Sequence, residues 1–367
     1  MGEHLKVDDT TSRPFPFRGG LMQRIVSLLV GLGLLGWAVS PARPCTRFLW
    51  NNNKLGVFSG RTMDWPESTD PRLWIFPRGL HRDGGKIGDQ TIESDHPARW
   101  TSKYGSIVTS VYGVGSADGF NEKGLGMHML YLSATQFEPR DKSKPGVHAG
   151  LWGQYLLDQT ATVAEAVAAM EKIQVVLAEA RGHQATVHLA LEDATGDSAI
   201  FEFVGGKLVV HHGRQYPIMT NDPTFDQQLE LLKKQDFSNP SSDTPLPGNV
   251  RATDRFQRVA YFAGMLPEPK SEREAIAGVL AIVRNASVPF GAPYKKFGIY
   301  NTEYRTAMNL TDRRYFFELT TSPNVIWLQA SKFDFAEGAQ VLMLDPDNIN
   351  LSGDVSAQFQ PVPKAPY

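Results

Sequence analysis

Cys45 is the only cysteine among 367 residues. A single thiol excludes an internal disulfide framework and any site that needs several thiolates, such as a structural zinc centre. An excess of one charge is also missing: 37 Lys and Arg against 39 Asp and Glu leave a formal net charge of −2. No basic run interleaved with aromatics occurs, which removes the electrostatic case for a nucleic-acid partner. Metal-site spacings are lacking too. His211-His212 has no third ligand at a standard distance, no H-E-x-x-H is present, and the pair reads as the end of a strand. The glycine-rich stretch from Gly113 to Gly119 has neither phosphate-loop spacing nor a lysine, and it reads as a turn. No G-x-S-x-G elbow occurs. No metal and no cofactor is expected.

Long hydrophobic runs are nearly absent. The exception, Ile25 to Val39, falls short of the roughly 20 residues that span a bilayer. Arg24 precedes it, and Ser40-Pro41-Ala42-Arg43-Pro44 follows. A basic flank, a short apolar stretch and a small-residue exit form the outline of a secretory signal. The expectation is that residues 1–44 are removed on maturation, that no stable membrane anchor remains, and that the protein is secreted or periplasmic. An unpaired cysteine is unusual in an exported chain and points to a reactive thiol. Its position at the start of the folded part weakens the alternative of an inert core cysteine.

What remains, residues 45–367, contains no linker and no repeat and is read as one domain. A content of 41% hydrophobic and 10% aromatic residues supports a sizeable core. Thr46 to Trp50 reads as a strand, Asn51-Asn52-Asn53-Lys54 as a turn, and Leu55 to Arg61 as the returning strand. Ile107 to Val114 and Gly124 to Leu132 are further strands, around a turn at Asp118-Gly119-Phe120-Asn121-Glu122. Residues 150–172 are helical in pattern, with a capping box at Thr162-Val163-Ala164-Glu165. Val187 to Glu192, Ala199 to Val204 and Leu208 to His212 form an antiparallel meander. Helical spacing returns at 225–234 and 252–266, and Ser271-Glu272-Arg273-Glu274 caps another helix. Thr306 to Asn309, Tyr315 to Thr320 and Val325 to Leu328 are strands, and the tail after Asp345 reads as surface. Hairpins and helices in clusters, without regular alternation, argue for an α+β fold with antiparallel sheets.

A thiol titrating near ~8.5 needs activation. An N-terminal cysteine carries its own base, because its α-amine has a pKa of roughly 7.7–8.0. That amine can take the thiol proton and later pass it to a leaving amine. If residues 46–61 form a hairpin, Arg61 returns beside Cys45, where a cation favours thiolate. Asp64 could then hold the α-amine by a charge-assisted bond, although an Arg61–Asp64 surface pair accounts equally for the two. Asn221, in Thr220-Asn221-Asp222-Pro223, offers a side-chain amide suited to an oxyanion and equally suited to a turn. Met63 and Trp65 could line an apolar acyl pocket or simply belong to the core.

Five blocks bring these residues together. Cys45-Thr46-Arg47-Phe48 followed by Gly60-Arg61-Thr62-Met63-Asp64-Trp65 resembles the start of the choloylglycine hydrolase family, which includes penicillin V acylases and conjugated bile acid hydrolases. Asp118 to Leu125, Thr220 to Phe225, Asp254 to Arg258 and Thr306 to Asp312 resemble further family blocks, in the family's order. The resemblance implies a four-layer αββα N-terminal nucleophile hydrolase sandwich with two antiparallel sheets. It implies a hydrolase that cleaves a non-peptide linear amide bond through a thioester on Cys45. Arg61 would contact the sulfur, Asp64 the α-amine, and Arg255 would organise the site. Asn221 and the backbone N–H of Tyr131 would hold the oxyanion. Tyrosine at 131 resembles the penicillin V acylase side of the family, where bile salt hydrolases tend to carry Asn. Alternatives are an N-acyl homoserine lactone acylase, which the exported type resembles, and a conjugated bile acid hydrolase. A secreted ligand-binding protein with a degenerate site is the non-enzyme alternative. The partner implied is a small N-acyl amide. The family's tetramer depends on an excursion between Asn221 and Arg255 that is short here, so a homo-oligomer is left open.

Overall fold

A computed structural model describes residues 45–293 and 299–367; the expected leader lies outside the described residues. Two large sheets dominate. The first runs in the order 218–220, 45–50, 58–65, 299–309, 314–319, 326–329 and 353–354. The second runs 207–212, 198–204, 187–192, 126–131, 115–121, 106–111, 73–76, 342–344 and 360–361. Pairing is antiparallel throughout both, except where Ile326–Gln329 meets Gly353–Asp354. Helices α1 (Ala149–Gln159) and α2 (Val163–Ala169) cover the second sheet; α4 (Ala252–Ala263), with α3 (Phe225–Leu232) against it, and α5 (Glu272–Asn285) cover the first. The layers are therefore helix, sheet, sheet, helix. One core cluster joins the facing sides of the sheets to α4 and α5, and a second fills the space under α1 and α2.

Local chemistry explains the element ends. Thr162 Oγ1 accepts from Glu165 N at 3.2 Å and starts α2. Ser271 Oγ accepts from Glu274 N at 3.3 Å and starts α5. Both are the capping boxes legible in the sequence. Asn53 Oδ1 accepts from the N–H groups of Leu55 and Gly56, at 2.9 and 3.1 Å. That side-chain turn delays the return strand, which runs Phe58–Trp65 rather than from Leu55.

Two expectations are corrected. Gly115–Asn121 is a buried strand, not a turn. Its glycines serve close approach: a Cβ on Gly115 would stand 2.0 Å from the Gly150 carbonyl oxygen, and one on Gly119 2.2 Å from that of Ile107. The tail is not all surface. Leu351, Val355 and Phe359 are buried, Gly353–Asp354 joins the first sheet, and Gln360–Pro361 joins the second.

The sandwich also buries a chain of charges. Arg47 Nη2 lies 2.6 Å from Glu192 Oε2, and Glu192 Oε1 lies 2.6 Å from His128 Nε2. His128 Nδ1 bonds Asp118, whose other oxygen accepts from the Tyr315 hydroxyl at 2.6 Å. Burial works against a charged imidazole, but Glu192 and Asp118 outweigh it and raise the His128 pKa. Burial likewise opposes the Glu192 carboxylate, yet Arg47 and His128 hold its pKa at about 2. A raised histidine pKa contributes stability that is complete below the unfolded value of ~6.5 and fades as pH rises through the folded value. A depressed glutamate contributes above ~4.5 and loses that contribution as pH falls towards 2. Thermal midpoints should accordingly decline on the alkaline side of pH 6.5. His128→Gln, which cannot titrate, should flatten that decline and lower stability by ~3–5 kcal/mol, the cost of breaking a buried pair. An unchanged slope in the variant would remove His128 from the account.

Candidate active site

The register of three strands builds the site. Cys45 stands opposite Met63, and Arg47 opposite Arg61. Side chains alternate along a strand, so Cys45, Arg61 and Met63 share the face turned towards the second sheet. Thr46, Thr62 and Asp64 fall on the other face, the one covered by α4 and α5. Where Phe58–Trp65 pairs with Ile299–Asn309, the register shifts between Met63 and Asp64, which sets Asp64 opposite Thr302. On the other side, Thr46 pairs with Thr220, which carries Asn221 alongside Cys45.

On the inner face, Arg61 Nη2 lies 3.7 Å from Cys45 Sγ and 3.1 Å from Met63 Sδ. Its Nη1 donates to the carbonyl oxygens of Ala117 and Met129, at 2.6 and 2.9 Å. The guanidinium thus ties the two sheets together directly beside the sulfur. Burial opposes its charge, but Tyr304, Cys45 and Asp118 outweigh that and raise its pKa, so Arg61 stays cationic. Burial pushes the Cys45 thiol up; Arg61 pulls it down and Asp64 adds to the rise.

On the outer face, Arg255 reaches in from α4. Its Nη1 donates to the Cys45 carbonyl oxygen at 2.6 Å and also to Thr46 Oγ1, and Nη2 donates to Asn221 Oδ1 at 3.1 Å. Asp64 Oδ2 lies 3.6 Å from Arg255 Nη1 and accepts from Thr62 Oγ1 at 2.9 Å, while Oδ1 accepts from Thr302 Oγ1. Asn221 Oδ1 also accepts from the Cys45 N–H, and its Nδ2 donates to the Tyr131 carbonyl oxygen at 2.6 Å.

The structure therefore gathers Cys45, Arg61, Asp64, Tyr131, Asn221 and Arg255 into one constellation. The partner given to the Cys45 nitrogen is Asn221, where the sequence pointed to Asp64. An amide nitrogen inside a continuous chain has one hydrogen, and Asn221 takes it. Leu132 N donates across to Thr186 O at 2.9 Å. Successive residues alternate sides in a strand, so the Tyr131 N–H and C=O both face the Asn221 side. Thr62 and Thr302, which hold Asp64, escaped sequence reasoning. Thr62 lay inside the second half of the first block; Thr302 sits in a polar part of its strand with no apolar pattern to reveal it.

Beside the sulfur is a cavity of about 110 Å³, lined by Cys45, Met63, Trp65, Met129 and Tyr131 together with residues 178–180 and 183–185. Met63 and Trp65 both line it, and Met63 belongs to the buried core as well. Among the described residues no group of three or more His, Cys, Asp or Glu could hold a metal ion, and no helix is long and apolar enough to cross a membrane.

The model for the linear amide C–N hydrolases of the choloylglycine hydrolase family matches residues 45–341, beginning at Cys45 itself. Penicillin V acylase of Pectobacterium atrosepticum is 38% identical, across 92% of this chain and 96% of that protein. The solved structure of penicillin V acylase from Agrobacterium tumefaciens is 39% identical with a TM-score of 0.77, covering 88% of this chain and 98% of that one. A conjugated bile acid hydrolase from Clostridium perfringens shares the fold, with a TM-score of 0.70 at 20% identity over 84% of this chain and 98% of that one. The α+β sandwich, a thiol set among arginines and the match from Cys45 onward agree, and the chain belongs to the choloylglycine hydrolase family of enzymes that hydrolyse linear amides.

Proposed function

We propose that this protein is an exported amidohydrolase of the penicillin V acylase type, and that its nucleophile is Cys45 exposed as the N-terminal residue. The observation that carries the reading is the convergence of Arg61, Asn221 and Arg255 on the sulfur, nitrogen and carbonyl oxygen of one residue. The likeness to two penicillin V acylases supports the substrate class. An apolar cavity opening on the sulfur suits an aromatic or aliphatic acyl group.

In the proposed reaction, the α-amine of Cys45 takes the thiol proton as the sulfur attacks the substrate carbonyl. Asn221 Nδ2 has a second hydrogen beyond the one given to Tyr131, and with the Tyr131 N–H it would hold the oxyanion. The C–N bond breaks, the amine leaves with the proton, and a thioester remains. Water, deprotonated by the same α-amine, releases the acid and restores the thiol.

Before residues 1–44 are removed, the Cys45 nitrogen is an amide and cannot act as a base. The thiol, raised by burial, is then without a proton acceptor of its own. Cleavage leaves the nitrogen as a neutral amine with one further hydrogen and a lone pair; the lone pair is the base, and Asp64 would orient the amine. The mature protein should therefore begin at Cys45, as read by intact mass. A chain retaining Arg43-Pro44 should show a kcat lower by at least ~10²-fold, the usual contribution of a general base. A fully active protein that begins upstream of Cys45 would overturn the α-amine mechanism.

A further inference from the structure

The outer part of the acyl cavity is closed by a segment that neither large sheet holds. Glu179–Ala180 and His183–Gln184 pair only with each other. Arg181 and Gly182, at φ 51° and 75°, form the connection. Two left-handed residues in a two-residue loop make a type I′ hairpin. Ala178, Ala180 and His183 face the cavity.

The hairpin is fastened at its tip by side chains from elsewhere. His183 Nε2 lies 3.3 Å from Glu67 Oε1. The Tyr112 hydroxyl donates to that same oxygen at 2.7 Å and accepts from Trp65 Nε1 at 2.6 Å. The Arg181 guanidinium stands 4.7 Å from the centre of the Tyr112 ring, and the Trp65 ring meets His183 edge-on at 5.4 Å. Tyr112 itself is held at φ 53°, uncommon for a residue with a side chain. An isolated exposed ion pair contributes little. Here one carboxylate collects the hairpin, the Tyr112 strap and, through Tyr112, the pocket wall at Trp65.

We propose that Glu67 is a positioning residue that clamps the 179–184 hairpin over the outer end of the acyl cavity and so limits the length of acyl group the enzyme accepts. The idea rests on the amide-hydrolase reading above. Glu67 does not touch Cys45, so releasing it should alter selection by length and leave the chemistry alone.

The test compares the mature enzyme with its E67A and E67Q variants on N-acyl homoserine lactones of graded chain length. In E67A the ratio of kcat/KM for long over short chains should rise roughly tenfold, through KM, while kcat on the shortest chain holds within about twofold. E67Q, which keeps an acceptor for Tyr112, should fall between. An unchanged ratio, or a loss shared equally by all lengths, overturns the proposal. Trypsin supplies a readout that needs no activity, because cleavage follows the population of the opened segment. Nicking between Arg181 and Gly182 should be roughly tenfold faster in E67A than in the unaltered chain. Equal nicking overturns the clamp. If the unaltered enzyme hydrolyses no amide, the functional reading fails and the trypsin comparison still decides the clamp.

Discussion

Cys45→Ala should fold normally and hydrolyse penicillin V at least ~10³-fold more slowly than the unaltered enzyme, the scale on which nucleophile removal acts. Structure explains why the two effects separate. The sulfur's contacts with Arg61 Nη2, Met63 Sδ and Asp64 O are long, at 3.7, 3.9 and 3.8 Å, and weak. Losing them and a small buried atom costs about 1 kcal/mol at most, within the reach of a circular-dichroism melt. The backbone of residue 45 keeps its bonds to Asn221 and Arg255 whatever the side chain. Chemistry has no such substitute. Neither neighbouring hydroxyl replaces the thiol: Thr46 is bonded by Arg255 and Thr62 by Asp64. Cys45→Ser is the sharper control. It retains a hydroxyl beside the α-amine and tests whether a soft, ionisable sulfur is needed. Because burial raises the thiol and Arg61 counters it, the serine enzyme, with no accessible anion, should also lie more than ~10²-fold below the unaltered one. Wild-type release of the amine product by Cys45→Ala would sink the assignment of the nucleophile.

The sequence made the skeleton of this site readable because it lies in a hairpin. Once Cys45 and the 58–65 segment are taken as paired strands, period-two alternation puts Arg61 and Met63 with the thiol and Asp64 on the opposite face. Capping boxes at Thr162 and Ser271 were legible for the same local reason. What stayed hidden is what depends on distant packing. Gly115 and Gly119 looked like turn residues; they sit in a strand because a helix carbonyl and a neighbouring strand leave no room for a Cβ. Of the strand Ile299–Asn309 only the part from Thr306 onward has a strand pattern in sequence, since its earlier polar residues answer other polar groups, Thr302 to Asp64 and Arg305 to Ser287. The cavity wall at 178–185 had no pattern of its own: a short hairpin with small residues and a polar tip resembles any surface loop. The contact of Asn221 Oδ1 with the Cys45 nitrogen was equally invisible, because it joins residues 176 positions apart.

That contact makes Asn221 the residue whose two ends can be tested separately. Its oxygen accepts from Cys45 N and Arg255 Nη2; its nitrogen donates to the Tyr131 carbonyl. Asn221→Asp keeps the acceptor end and removes the donor end. The arginine should hold the new carboxylate as it held the amide, so Cys45 stays placed. Tyr131 O then faces an oxygen instead of an N–H, an unsatisfied contact that should cost ~1–3 kcal/mol of stability. The catalytic loss should be larger. With no side-chain donor at the oxyanion and a negative charge beside it, kcat should fall ~10²–10³-fold, equivalent to ~2.7–4 kcal/mol. KM should change little, because the ground-state carbonyl is a weaker acceptor than the oxyanion. Asn221→Leu removes both ends. It should show the same kcat loss and a further drop in thermal midpoint, as Arg255 and Cys45 N lose an acceptor. If Asn221→Asp keeps kcat within tenfold while Asn221→Leu does not, the side chain acts by holding Cys45 and Arg255. Oxyanion stabilisation would then belong to backbone donors such as the Tyr131 N–H.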